Sequence, residues 1–315
     1  MTVYICRKMF KNIKPFVTIS SHGQTMKKFS AIASLLLTTF FWGITFTIVK
    51  DAVARVDVFV FLAQRFLVAF AMITCICLAR KTPLDLKTLR RGALLGLLLF
   101  GSYAFQTVAL LYTTASNTGF LTGLSVLLVP LLGAYFFGHS VSSTVKLGVT
   151  LATPGLFLLC TNGSFSLNLG DLLAAICAIC VSLHLLLTGI FARDSDVFWL
   201  TTIQLGTVAI LSLTVAQAKG HNAFDWHAEI FWALVICAVF ATVFAFLVQT
   251  SMQRVLSPAH TALIFCLEPV FAALYAWWAA NEQLGLPGFI GAVFILCGMV
   301  VSELPTIRSK RPALT

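Results

Sequence analysis

Charge is what this sequence has least of. Only 10% of its 315 residues are Asp, Glu, Lys or Arg, against 59% hydrophobic residues and a mean hydropathy of +0.96. A soluble domain carries about 25% charged residues, and no polar stretch here is long enough to house a soluble catalytic domain. A G-x-x-x-x-G-K-[ST] loop is missing too, so ATP is not consumed by this chain. The nine cysteines supply one C-x-x-C, Cys177 to Cys180, without a second ligand pair. No metal or redox centre is expected, and no cofactor; the cysteines read as small apolar residues. Residues 1–25 contain no apolar run of the length a secretory signal needs.

What the chain has instead is repeated apolar runs of about 20 residues, the length that crosses a bilayer as an α-helix. Ten spans are predicted: 29–49, 59–79, 92–112, 115–136, 144–160, 171–191, 198–216, 229–249, 259–279 and 287–304. Barrel strands would alternate over about ten residues, which these runs do not. The expected fold is an all-α integral membrane protein with short connections.

Its Lys and Arg residues orient it. With the N-terminus inside, seventeen of the 21 fall on inside segments and three (Lys50, Arg55, Lys219) outside; Arg65 alone lies within a span. The positive-inside rule then places both termini in the cytoplasm, and the expected location is the plasma (inner) membrane. The net charge of +10 is scattered over cytoplasmic loops beside anionic headgroups, so lipid rather than nucleic acid is the expected partner. Met26, followed by Lys27 and Lys28 and the first span, is an alternative start for the chain. Self-association into a homo-oligomer is left open.

A shift of 143 residues lays Gln106–Thr107 on Gln249–Thr250, Thr118 on Thr261, Gly148 on Gly291 and Gly155 on Gly298, without a gap. The organisation is a cytoplasmic segment 1–28, a first five-helix repeat 29–160, a linker 161–170, a second repeat 171–304 and a tail 305–315. Five spans per half is odd, so the second half enters from the opposite side: an inverted repeat of the secondary-transporter kind.

Four stretches in order carry a resemblance: "TTFFWGITFTIVK" (38–50), Arg65, "YTTASNTGFLTGLSVLLVPLLG" (112–133) and "LSPAHTALIFCLEPVFAALYAWWAANEQLG" (256–285). Together they resemble the EamA-type family of the drug/metabolite transporter superfamily over residues 29–304. The resemblance implies ten helices as two inverted five-helix repeats around a central cavity, and export of amino acids or other small metabolites. His139 stands where the family's first repeat usually carries an acidic residue; the second repeat keeps Glu282.

Polar groups inside spans are expensive, about 2.5–3.5 kcal/mol for a charge at the centre. Arg65 either snorkels outward or faces a cavity, pairing there with a substrate carboxylate or with Glu268. Glu268 is a neutral brace between helices, a partner for a cationic group, or a proton carrier. Pro269 is expected to remove one helix hydrogen bond inside the ninth span, which lipid tolerates only on an inward face. His184 braces or lines the cavity; Gln106, Asn117 and Gln249 bridge helices or bind substrate; Trp42 and Tyr103 pack or form a cavity wall. Gly119 and Gly123 form a small-xxx-small pair suited to helix packing. Pro130, Pro154 and Pro269 are hinge candidates. A secondary transporter of a small polar metabolite, working by alternating access, is the leading reading. An intramembrane hydrolase, built on Gly123-Leu124-Ser125 with His184 or His260, and a passive channel are the alternatives.

Overall fold

The computed structural model describes residues 22–113, 115–138, 141–161, 168–225, 227–280 and 285–304. The Asn117 side chain, His139 and Glu282 lie outside this set. Helices account for nearly all of it: α1 (His22–Val53), α2 (Val58–Arg80), α3 (Leu86–Ala109), α4 (Ala115–Gly123), α5 (Ser125–Phe137), α6 (Ser143–Thr161), α7 (Leu169–Phe191) and α8 (Val197–Ala218). The chain continues through α9 (Phe231–Ala238), a π-helical turn at Val239–Phe244, α10 (Ala245–Met252), α11 (Pro258–Phe265), α12 (Glu268–Ala280) and α13 (Leu286–Glu303). Among the described residues nine helical segments are long and apolar enough to cross a membrane, and Leu286–Ser302 is a shorter apolar tenth. The fold is an all-α multi-pass membrane bundle.

Local chemistry explains where the helices start. Asp57 accepts from the Phe59 and Val60 N–H groups at the head of α2, Asp85 from Thr88 at α3, Asp196 from Trp199 at α8 and Ser257 from His260 at α11. Each side chain satisfies an N–H that the helix itself leaves orphaned. Asn168 and Asp171 complete a reciprocal capping box on α7. The cap at Asp85 corrects the predicted start of the third span: α3 begins at Leu86, six residues before 92. The basic turn Lys87–Arg91 is helical but polar, so an apolar window misses it.

The two halves interlock about an inverted two-fold. A Cβ on Gly148 would lie 2.6 Å from the Gly298 carbonyl oxygen, and one on Gly155 2.7 Å from that of Gly291. Gly291 and Gly298 are the repeat-mates of Gly148 and Gly155, so α6 and α13 cross antiparallel, each presenting the same two glycines to the other. Only hydrogen fits at these crossings, and in lipid such close contact is what holds helices together.

The fourth and ninth spans are each broken midway, at Leu124 and at Cys266–Leu267. The 143-residue shift carries one break onto the other. Pro269 therefore does not interrupt a helix: it occupies the first turn of α12, where its missing N–H would be an orphan anyway. Pro130 and Pro154 sit inside α5 and α6, which run on past them. The interruptions lie beside Pro130 and Pro269 in sequence, not at them. Gly123 packs on Leu156, as expected of a small residue at a crossing, but a Cβ on Gly119 would meet nothing within 4 Å; Gly119 borders open space.

Candidate cavity between the two halves

That space is a cavity of about 620 Å³ lined from both halves. Arg65, Trp42, Ser102, Tyr103, Gln106, Gly119 and Ser125 come from the first, His184, Gln249, Phe265, Glu268 and Pro269 from the second. It reaches the exposed Lys50 and Asp51 at one end, together with Gly285. Away from that end, Val129 of the first half packs with Leu185, Leu186 and Ala262 of the second, and hydrogen bonds tie the second half to itself. Gln253 donates to the Leu185 carbonyl at 3.0 Å, and Arg254 to those of Ala192 (2.6 Å) and Ser195 (2.8 Å). Gly189 there leaves no room between α7 and Pro258.

Arg65 is 2% exposed, so it does not snorkel out of the bundle. Its Nε donates to Thr242 Oγ1 at 2.7 Å, and its Nη2 to the Ala241 carbonyl at 3.1 Å and to Tyr103 Oη at 3.3 Å. The guanidinium carbon lies 4.9 Å from the Tyr103 ring centre and 5.5 Å from that of Phe66, a cation–π setting. All these partners are neutral. No ion pair joins Arg65 to Glu268, so that expected pairing is not formed, and Nη1 has no hydrogen-bond partner among the described residues.

Glu268 opens α12 at the break in the ninth span and is half-buried on the cavity wall. Among the described residues its carboxylate makes no hydrogen bond and no ion pair, so none braces it to another helix. Placement at a helix N-terminus favours the negative charge. The cavity thus holds a guanidinium and a carboxyl group that are not paired with each other.

Uncharged groups fill in the rest. His184 Nε2 lies 2.8 Å from Gln204 Oε1, and Gln204 Nε2 donates to Thr250 Oγ1 at 3.4 Å. His184 is thereby both braced and at the cavity wall. Gln249 Nε2 reaches Gln253 Oε1 at 3.4 Å while also lining the cavity. Trp42 packs edge-on against Phe265, donates through Nε1 to the Ala241 carbonyl at 2.9 Å, and borders the cavity as well.

Comparison with known proteins accords with this geometry. The model of the EamA-like transporter family matches residues 29–161 and again 168–303. The chain belongs to the EamA-like transporter family. An uncharacterised transporter of Archaeoglobus fulgidus is 30% identical over 92% of this chain and 91% of its own length. The uncharacterised transporter YyaM of Bacillus subtilis is 25% identical, over 90% and 98%. A protein solved by crystallography superimposes with a TM-score of 0.74 at 21% identity, covering 87% of this chain and 98% of that one, which shows the shared fold. EamA proteins are transporters, not enzymes. Among the described residues of this EamA protein the serine next to His260 is Ser257, 2.7 Å from its Nδ1 and serving as the α11 cap.

The structure brings Arg65, Glu268, His184, Gln106, Gln249, Trp42 and Tyr103 to one EamA cavity. Residues missed in the sequence are Thr242, the Ala241 carbonyl and Gln204. Gln204 is legible in retrospect as an amide in mid-span. Thr242 sits in "VFATVF", where nothing marks it.

Proposed function

We propose that this EamA-family chain is a secondary transporter of small zwitterionic metabolites such as amino acids, which it moves by alternating access at the cavity between its halves. One observation carries the reading: among the described residues Arg65 has only neutral protein partners and Glu268 has none, yet both border the same cavity. A charge inside a bilayer is costly unless matched. A ligand with a carboxylate and an ammonium group supplies both counter-charges at once, and neither a simple acid nor a simple amine does.

A cavity that reaches Lys50 and Asp51 at one end and is backed by the packing of Val129 on Leu185, Leu186 and Ala262 across the halves supports a carrier over a pore, because a pore is open through its length. The broken fourth and ninth spans are the kind of discontinuous helix that secondary transporters use around a midplane site. By the distribution of Lys and Arg the end at the Val129 packing is cytoplasmic, along with both termini; the membrane expected is the plasma (inner) membrane. Export is the direction that the family implies. The test is counterflow in proteoliposomes loaded with a neutral amino acid. Exchange should be saturable for the zwitterion and weak for its decarboxylated amine and its deaminated acid. Non-saturable flux, or equal exchange of all three, overturns the reading.

A further inference from the structure

The eighth span carries a device that the transport reading alone does not require. In an α-helix the Ala245 N–H would close on the Ala241 carbonyl; here it goes to Phe240 and Thr242 instead. Thr242 Oγ1 likewise donates five residues back, to the Cys237 carbonyl at 2.8 Å. This π-helical turn widens the backbone and frees the Ala241 carbonyl. Single π-turns inside helices recur at functional positions. Side chains from the other half take the freed carbonyl: Trp42 Nε1 and Arg65 Nη2 both donate to it. Thr242 completes the clamp, since its proton goes to Cys237 and its lone pair receives Arg65 Nε–H at 2.7 Å.

The consequence is directional. The Nε–Nη2 side of the guanidinium is occupied by Thr242 and Ala241, so only its distal end, with Nη1, is left for the cavity. We propose that Thr242 and the π-turn around it are the positioning element that aims Arg65 at the carboxylate of the cargo and so sets the preference for a carboxylate. The inference rests on the zwitterion reading above, and it adds that discrimination resides in the second half of the chain, on a residue that need not touch cargo. The turn is also a joint: spans one and two meet it through Trp42 and Arg65, and span three reaches it through the Tyr103 hydroxyl on Arg65.

Two measurements on Thr242→Val and Thr242→Ser test it. Valine keeps the shape and removes the acceptor; serine restores the acceptor. In proteoliposomes, Thr242→Val should raise KM for a neutral amino acid by about tenfold, the effect of losing one charge-assisted hydrogen bond. KM for the corresponding amino-acid amide should hold, and Thr242→Ser should recover the wild-type preference. Equal losses for both cargoes, or an unchanged preference, overturn the proposal. Independently of any cargo, ¹⁵N–¹H spectra of arginine-labelled protein in detergent should show the Arg65 Nε–H resonance, assigned by its disappearance in Arg65→Lys, moving in Thr242→Val and not in Thr242→Ser. An unmoved resonance also overturns it. A moved resonance with no carboxylate preference in the wild type keeps the clamp, removes its role in selecting cargo and rejects the zwitterion reading.

Discussion

Replacing Glu268 with Gln separates binding from folding unusually well. The two side chains have the same shape, and the carboxylate has no protein hydrogen bond or ion pair to lose among the described residues. Two terms act on stability. Neutralising a charge within the span relieves up to about 2.5–3.5 kcal/mol of insertion cost, discounted because the group borders a cavity. Loss of a favourable charge at the head of α12 costs about 0.3–1 kcal/mol. The variant should therefore melt at or above the wild-type temperature. Transport should move the other way. Losing one charge-assisted bond to the cargo ammonium removes about 1.5–3 kcal/mol, a fall of roughly tenfold to a hundredfold in Vmax/KM. The assay is counterflow in proteoliposomes, paired with thermal unfolding of the same preparation in detergent. Wild-type transport by Glu268→Gln, or a variant that fails to fold, would refute the reasoning, the second because it would make Glu268 a structural brace.

Other regions give independent checks. Gly298→Ala places a Cβ 2.6 Å from the Gly148 carbonyl and 3.1 Å from the Ala152 nitrogen; forcing α6 from α13 should cost about 1–3 kcal/mol in unfolding measurements, with KM unchanged. Asp57 caps α2 and pairs with Lys219 and, at 3.7 Å, His221. Asp57→Asn should lose about 0.5–1 kcal/mol of pairing but keep the cap, and Asp57→Ala should lose about 1 kcal/mol more. Burial pushes the Asp57 carboxyl up, but the Lys219 and backbone hydrogen bonds outweigh it and hold the group below its usual range. Its stabilisation is accordingly complete above the ordinary aspartate value of about 4 and fades as pH drops through the lower, folded value. Melting temperature against pH for wild type and Asp57→Asn should converge in that acidic window.

Much of the architecture was written in composition. Apolar runs marked the spans, and matched glycines marked the repeat, though not that α6 and α13 would meet on those glycines. Arg65 and Glu268 stood out because charge within a span demands a reason. What stayed hidden depends on hydrogen-bond register, which composition does not record. Pro269 reads as a defect inside a helix until the turn at Cys266–Leu267 restarts the count and makes it a favourable first-turn residue. Thr242 reads as one more β-branched residue until the π-turn shifts the ladder and presents its hydroxyl to Arg65. Arg65 and Glu268 invited pairing because they are opposite charges in one apolar chain. The competing acceptors, a backbone carbonyl and two hydroxyls from distant spans, could not be seen in the sequence.

The most direct test is a cargo-bound structure, obtained by crystallography or cryo-electron microscopy with a neutral amino acid at saturating concentration. A zwitterion in the cavity between α2 and α12, with its carboxylate on the distal end of Arg65 and its ammonium on Glu268, is the predicted result. Cargo bound elsewhere, or held in this cavity without contact to either charge, would contradict the account.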